Sequence, residues 1–507
     1  MKKVIFSLAT LLSATMMVAQ SNSSNVTQAG TDNVVNITQI GDSNSSVTNQ
    51  DGTANNAEAI QGSEAFNSRN GVVTQNQTGD KNTAFVQHEE DANEANQEQI
   101  GNGNSASVTQ NLAFFGGENL ANQRQEGNGN AATISQEGIG NSASQNQLGE
   151  ENSATTSQEG IGNVSTIAQD GTLNTATIAQ VGTSNSGEQM QVGDANSGNA
   201  EQWGSDNFVY QDQQGGGNLA TSIQGSSVFE SRGGEVQQIQ IGEENEAFAQ
   251  MEEDNNVALQ GQLGEGNSAR VDQNLGSFGG DNFSIQVQIG NGNVADASQN
   301  GSNNSNDQTQ RGDENLAASS QDGTDNILIQ DQTGVGNTAT SVQGSFIFAS
   351  RGGVVDQLQS GDDNVAFAQH EEDNNIVVQT QLGNGNSAST TQNLAFFGGD
   401  NFTQQFQLGN GNVGEVSQEG AAGIFGENNI ASQIQIGDRN NITTSQNGSG
   451  NFSDILQSGN SNIAQDTQFG MDNFTFVTQT GDLNSSIILQ NGVNNSAIVT
   501  QTGGGSL

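Results

Sequence analysis

The sequence predicts an all-β fold, a two-sheet β-solenoid of about 20 stacked rungs, each a 22-residue strand–turn–strand at cross-β spacing. Three observations carry this prediction. From Asn130 to Asn207, Asn returns every 11 residues, with Gln six places after each Asn and Gly two places after the Gln. Within each unit the side chains alternate with period two, as in a strand and not a helix. The 507-residue chain contains no Pro, where ordinary usage would supply roughly 25. Excluding Pro throughout suits a backbone whose N–H groups almost all enter ladders.

The unit is N-x5-Q-x-G-x-x, with Asn at position 1, Gln at 7 and Gly at 9. An 11-residue period also suits right-handed supercoiled helices. A Gly in every third helical turn would cost about 1 kcal/mol each time, which argues against them. Positions 3 and 5 are instead small or β-branched, as in Ala132/Ile134, Ser165/Ile167, Ala176/Ile178 and Ala497/Val499. The pleat therefore turns positions 1, 3, 5 and 7 inward. Facing strands enclose a thin layer of Ala, Ser, Ile and Val bordered by amides. The expected ladder is Asn130, Gln136, Asn141, Gln147, Asn152, Gln158, Asn163, Gln169, Asn174 and Gln180. Each amide would donate to one neighbouring rung and accept from the other, which offsets the cost of burial. Gly138, Gly149, Gly160, Gly171 and Gly182 supply the positive φ that a tight bend needs. Counting from Asn22 to Gln501 gives 41 units, a rod on the order of 100 Å long.

Composition narrows the function. Only 31% of residues are hydrophobic and 5% aromatic, too little for several ordinary globular cores. Residues 1–20, MKKVIFSLATLLSATMMVAQ, read as a secretory signal cut near Ala19. Residues 21–507 then form a single continuous solenoid. Without Lys2 and Lys3, eight basic residues face 56 acidic ones, a net charge of −48. Such a surface repels nucleic acid and anionic membranes, and no second apolar run offers membrane insertion. The chain has no Cys, which removes disulfides and thiolate metal sites.

Three 75-residue cassettes, 55–129, 218–292 and 337–411, interrupt the rhythm with larger turns. In each, one turn gains five residues and carries Arg69, Arg232 or Arg351; a later turn gains four, in NLAFFGGE, NLGSFGGD and NLAFFGGD. Between them lies an acidic turn, HEEDAN, MEEDNN or HEEDNN. All spacers hold even numbers of units, so the larger turns should share one decorated edge. Arg69 is expected one rung from Glu89, Glu90 and Asp91. The pairs Phe114/Phe115 and Phe396/Phe397 should cover their turns or offer a lateral contact. His88 and His370 invite a catalytic or metal reading, but Met251 holds the equivalent place. Calcium, which favours oxygen ligands, is the one metal considered, at Glu89, Glu90, Asp91, Glu252, Glu253, Asp254, Glu371, Glu372 and Asp373. These turns lack the Gly-x-Asp spacing of calcium-binding β-rolls, and a solvated acidic turn is the plainer reading. No cofactor is expected. Acid pairs in the ordinary turns, Glu150/Glu151, Glu243/Glu244 and Asp362/Asp363, read as gatekeepers against lateral pairing.

The pattern N-x5-Q-x-G-x-x-N-x5-Q, as from Asn163 to Gln180, with bends QEGIGN and QIGNGN, resembles the curlin repeat of curli, the secreted amyloid fibres of bacterial biofilms. The resemblance implies a non-enzymatic structural subunit on the cell surface. Such a subunit passes through a curli-type secretion machinery, is nucleated by a partner subunit and polymerises with copies of itself into fimbria-like fibres for matrix and adhesion. Neither end of the repeat array carries an evident cap, and uncapped solenoids polymerise. A monomeric β-solenoid adhesin, or other surface-binding protein, presenting the decorated edge is the alternative.

Overall fold

A computed structural model describes residues 21–112, 116–275, 279–345, 349–394, 398–420 and 427–503. The 11-residue units alternate between two parallel sheets. The first sheet has 21 strands and runs from Ser23–Thr31 to Ser496–Thr502. The second has 20 main strands, from Val34–Gln39 to Ser485–Val493, with short two-residue pieces beside three of them. Pairing is in register, so residue i meets i+22: Ala131 opposes Ser153 and Gln136 opposes Gln158. Each lengthened turn resets the step without shifting phase. Ser45 opposes Val72, Glu94 opposes Leu120 and Phe402 opposes Ile430. No helix long and apolar enough to cross a membrane occurs among the described residues.

The pleat places the interior as the alternation requires. Ala131–Ile139 alternates exposed and buried residues, with Asn130, Ala132, Ile134 and Gln136 inside. The interior is more polar than a layer of Ala, Ser, Ile and Val. Its apolar residues gather in four separate clusters, centred near Val86, Ile178, Leu328 and Ile455. Between clusters the inner positions hold polar side chains, such as Asn306 donating to Ser284 and Ser319 donating to Asn306.

Position 5 is the main departure from the sequence expectation. In the first sheet it is Gln in nearly every rung from Gln75 to Gln433, with Ile167 the exception; in the second sheet it is never Gln. The two sheets are therefore chemically distinct, and a second Gln column runs inside the first one.

Candidate functional site

The features with functional content are the ladders, the turn edges and the two ends. The Gln ladder is continuous through the plain stretch. Gln136 Nε2 donates to Gln158 Oε1 and Gln158 Nε2 to Gln180 Oε1, both at 2.8 Å. In the facing sheet Gln147 Nε2 donates to Gln169 Oε1 at 2.9 Å. The second amide hydrogen crosses the interior to a backbone carbonyl of the opposite sheet, as from Gln158 to Ser142 at 3.0 Å. Each Gln thus joins successive rungs and also staples the two sheets together. The extra column repeats this, with Gln189 donating to Gln211 and Gln211 to Gln238, both at 2.7 Å.

Asn works differently. The Asn130 Oδ1 accepts the backbone N–H of Asn152 at 3.0 Å, and Asn130 Nδ2 donates to Gly149 O at 2.9 Å. Asn141, Asn163 and Asn174 make the same two kinds of bond. Position 1 therefore ties each bend to the bend of the next rung, while the Gln column ties the strands.

The position-9 glycines are required by stacking as well as by φ. Gly160 has φ 122°, and a Cβ there would lie 1.9 Å from Gly182 O. Gly138, Gly149, Gly171 and Gly182 face the same obstruction from the next rung, at 1.9–2.0 Å. A second positive φ falls at position 11, where Glu151 (55°), Leu173 (58°) and Ser184 (57°) sit. Sequence reasoning missed this position because so many residue types fill it.

On the edge where the first sheet passes to the second, position 10 forms a surface ladder. Asp362 Oδ1 accepts Val335 N, and Asp362 N donates to Asn384 Oδ1. The chain of bonds continues through Asn410, Asp438, Asn460 and Asp482. Asp362 thus lies between Val335 and Asn384, while Glu243 stacks directly on Glu265. The aspartates of this edge combine capping of the preceding rung with charge.

The lengthened turns all follow strands of the second sheet, so they occupy the opposite edge. Arg69 Nε and Nη2 donate to Asp91 Oδ1 and Oδ2 of the next rung at 3.1 and 2.6 Å, in solvent. Arg232 and Arg351 take the same register, their carbonyls accepting from Asn255 and Asn374 as Arg69 O accepts from Ala92. Phe114, Phe115, Phe396 and Phe397 lie outside the described residues.

His88 and His370 point into the interior and are fully buried. Each fills a niche left by a Gly that replaces the position-1 Asn. A Cβ on Gly71 would meet His88 Cε1 at 2.6 Å, and one on Gly353 would meet His370 Cε1 at 2.2 Å. The Met251 sulfur occupies the matching niche at Gly234. Burial pushes His88 down to about 4, tempered by the Asn93 backbone, and His370 down to about 3. Both are neutral packing groups. Glu89 is buried beside its turn, while Glu90, Asp91, Glu252, Glu253, Glu371 and Glu372 are half-buried and Asp254 and Asp373 exposed. Burial and then neighbouring acids raise Glu90 and Glu372. Among the described residues no three His, Cys, Asp or Glu side chains converge as a metal set would. A different acid is unusual: Asp466, at an inner position 5, is buried, accepts from Thr475 Oγ1 and is pushed up to about 6 by desolvation.

Among the described residues both ends of the rod are open. Ser23–Thr31 and Val34–Gln39 each have one strand neighbour, as do Ser485–Val493 and Ser496–Thr502. Ile488, Ala497 and Val499 sit at the last interior positions as part of the terminal apolar cluster. A search of curated proteins returns no match. Residues 149–182, 437–470 and 470–503 each match the family model of the curlin associated repeat.

Proposed function

For a chain that carries curlin associated repeats on an open-ended solenoid, we propose a secreted structural subunit that polymerises into curli-like amyloid fibres. The observation that carries this reading is the pair of unfinished edges. At one end Gln28 and Gln39 use their Nε2 but, among the described residues, accept no bond at Oε1. At the other, among the described residues, Gln490 and Gln501 donate to Phe474 O and Ser485 O and have no further acceptor for the second hydrogen. The last strands likewise present unpaired backbone groups. An incoming copy completes both sets, and each addition regenerates the same edge, which is templated growth.

Removal of the signal in residues 1–20, export through a curli-type machinery, nucleation by a partner subunit and a role in biofilm matrix and cell adhesion belong to the same reading. The work of the molecule is mechanical, and no catalytic step enters it. Its acidic surface keeps unpolymerised copies apart, so assembly should quicken as salt screens it.

Thioflavin kinetics on the purified mature chain test the proposal. A lag phase that pre-formed seeds abolish is the expected result. A chain that stays monomeric for days at high concentration overturns it and favours an adhesin that presents the Arg69 edge.

A further inference from the structure

The described coil begins and ends on the same sheet. Its first strand, Ser23–Thr31, and its last, Ser496–Thr502, both belong to the first sheet, which has one strand more than the second. Two copies stacked head to tail in the same orientation would pair these two strands. They would leave Ser485–Val493 of one copy about 9.6 Å, two strand spacings, from Val34–Gln39 of the next. No backbone hydrogen bond spans that distance, so a strand-wide slot would open in the second sheet at every junction.

Resting on the fibre reading above, we infer that successive subunits are turned by half a turn about the fibre axis. The coil then continues as if the chain had not ended. Ser23–Thr31 of the incoming copy lies on Ser485–Val493, and Val34–Gln39 lies on Ser496–Thr502. The repeat makes this match residue by residue. Val26 falls on Ile488, Gln28 on Gln490 and Gly30 on Gly492; Ile37 falls on Val499 and Gln39 on Gln501. The free hydrogens of Gln490 and Gln501 meet the free Oε1 atoms of Gln28 and Gln39. The backbone N–H groups of Asn22 and Asn33 reach Asn484 and Asn495 Oδ1, repeating the Asn152-to-Asn130 bond.

A second, independent observation supports the half turn. Through the middle of the rod the sheets differ at position 5, where only the first carries Gln. Swapping sheets there would orphan a buried amide at each step. That difference is absent at both ends. The first sheet holds Val26 and Thr48 before Gln75, and Ile455, Val477 and Val499 after Gln433. The terminal rungs thus have interiors that a half-turned neighbour can meet, apolar on apolar. Such a heterologous contact is open and propagates. It places the Arg69 edge on alternate sides of the fibre, with a same-side repeat of two subunits. That repeat is 41 rungs, about 200 Å at cross-β spacing.

The chain has no Cys, so introduced thiols are unique. The half turn puts Thr27 opposite Leu489 of the next copy, whereas the unrotated stack puts it opposite Thr500. Either pair, about 4.8 Å apart at Cα, can form a disulfide. Fibres of Thr27→Cys/Leu489→Cys and Thr27→Cys/Thr500→Cys, grown reduced and then oxidised, are compared on non-reducing gels. A multimer ladder from the first variant alone is expected. A ladder from the second, or from neither when fibres have formed, overturns the half turn. Gold on Glu64→Cys, in the first lengthened turn, gives a readout that leaves the junction intact. Alternating sides, with same-side spacing about 200 Å, support the inference; one side at about 100 Å refutes it. If the unsubstituted chain forms no fibres, the fibre reading itself falls and takes this inference with it.

Discussion

Replacing Gln158 by Leu removes an amide from the middle of the ladder while nearly keeping its volume. The bonds to Gln136, Gln180 and Ser142 disappear together. One Nε2 hydrogen of Gln136 and the Oε1 of Gln180 are then buried without partners. Each orphan costs about 1–3 kcal/mol, so the rungs holding Gln136, Gln158 and Gln180 lose about 2–6 kcal/mol. Stability in a solenoid is a sum of local and nearest-neighbour contributions, so the loss stays local. Hydrogen exchange reads it directly, since every 1.4 kcal/mol is about tenfold in opening. Amides of these three rungs should exchange roughly 30- to 20,000-fold faster, with the rungs of Gln308 and Gln330 unchanged. The outward-facing Ser157→Ala serves as control and should leave exchange within about threefold. If Gln158→Leu behaves like Ser157→Ala, the amide ladder is not what holds the rungs together.

Three further outcomes follow from the interior and the bends. Gly160→Ala should abolish seeded growth and protection around that bend, because its Cβ would lie 1.9 Å from Gly182 O. Gly140→Ala, with open space but φ 67°, should cost only about 1 kcal/mol; equal effects would sink the stacking account. The folded pKa values of His88 and His370 lie below the ordinary 6.5, so their contribution is intact above pH 6.5 and drains as pH falls toward 4. That amounts to roughly 3 kcal/mol at His88, and His88→Met/His370→Met should resist acid where the parent loosens; identical acid profiles by hydrogen exchange refute this. Asp466 has the opposite sign: its folded pKa is raised, so stability is full below about 3.8 and is lost as pH rises through about 6. Asp466→Asn should therefore protect the C-terminal rungs by about 3 kcal/mol at pH 7 and by little at pH 3, as exchange at Ile455 and Val477 would show.

The sequence made the period, the inward faces and the sharing of one edge by the lengthened turns legible, because each is imposed rung by rung on residue identity. Asn130 and Asn152 are adjacent for the same reason. The Gln column at position 5 was equally visible, in alternate units that read Q-x-Q, such as Gln145/Gln147 and Gln189/Gln191. An 11-residue unit hides it, because the two sheets differ and the true period is 22. The position-11 φ and the Asp/Asn ladder from Asp362 to Asp482 left weaker marks. Side chains as different as Glu151, Leu173 and Arg439 take the left-handed bend, and a cap for a neighbouring rung leaves no signal within its own unit. His88 beside acids invites a chemical reading, Met251 at the equivalent place argues against it, and Gly71, emptied to receive the ring, shows the packing role.

Bonds between rungs join residues close in sequence: Asn130 and Gly149 are 19 apart, Gln158 and Gln180 are 22 apart, and Gln407 and Gln435 are 28 apart. Relative contact order is therefore about 0.05 for a protein wholly of parallel sheet, an architecture that ordinarily folds slowly because its partners are distant in sequence. Here no strand waits for the far terminus. A chain delivered end first can close each rung as soon as about two dozen further residues have emerged, so folding keeps pace with delivery.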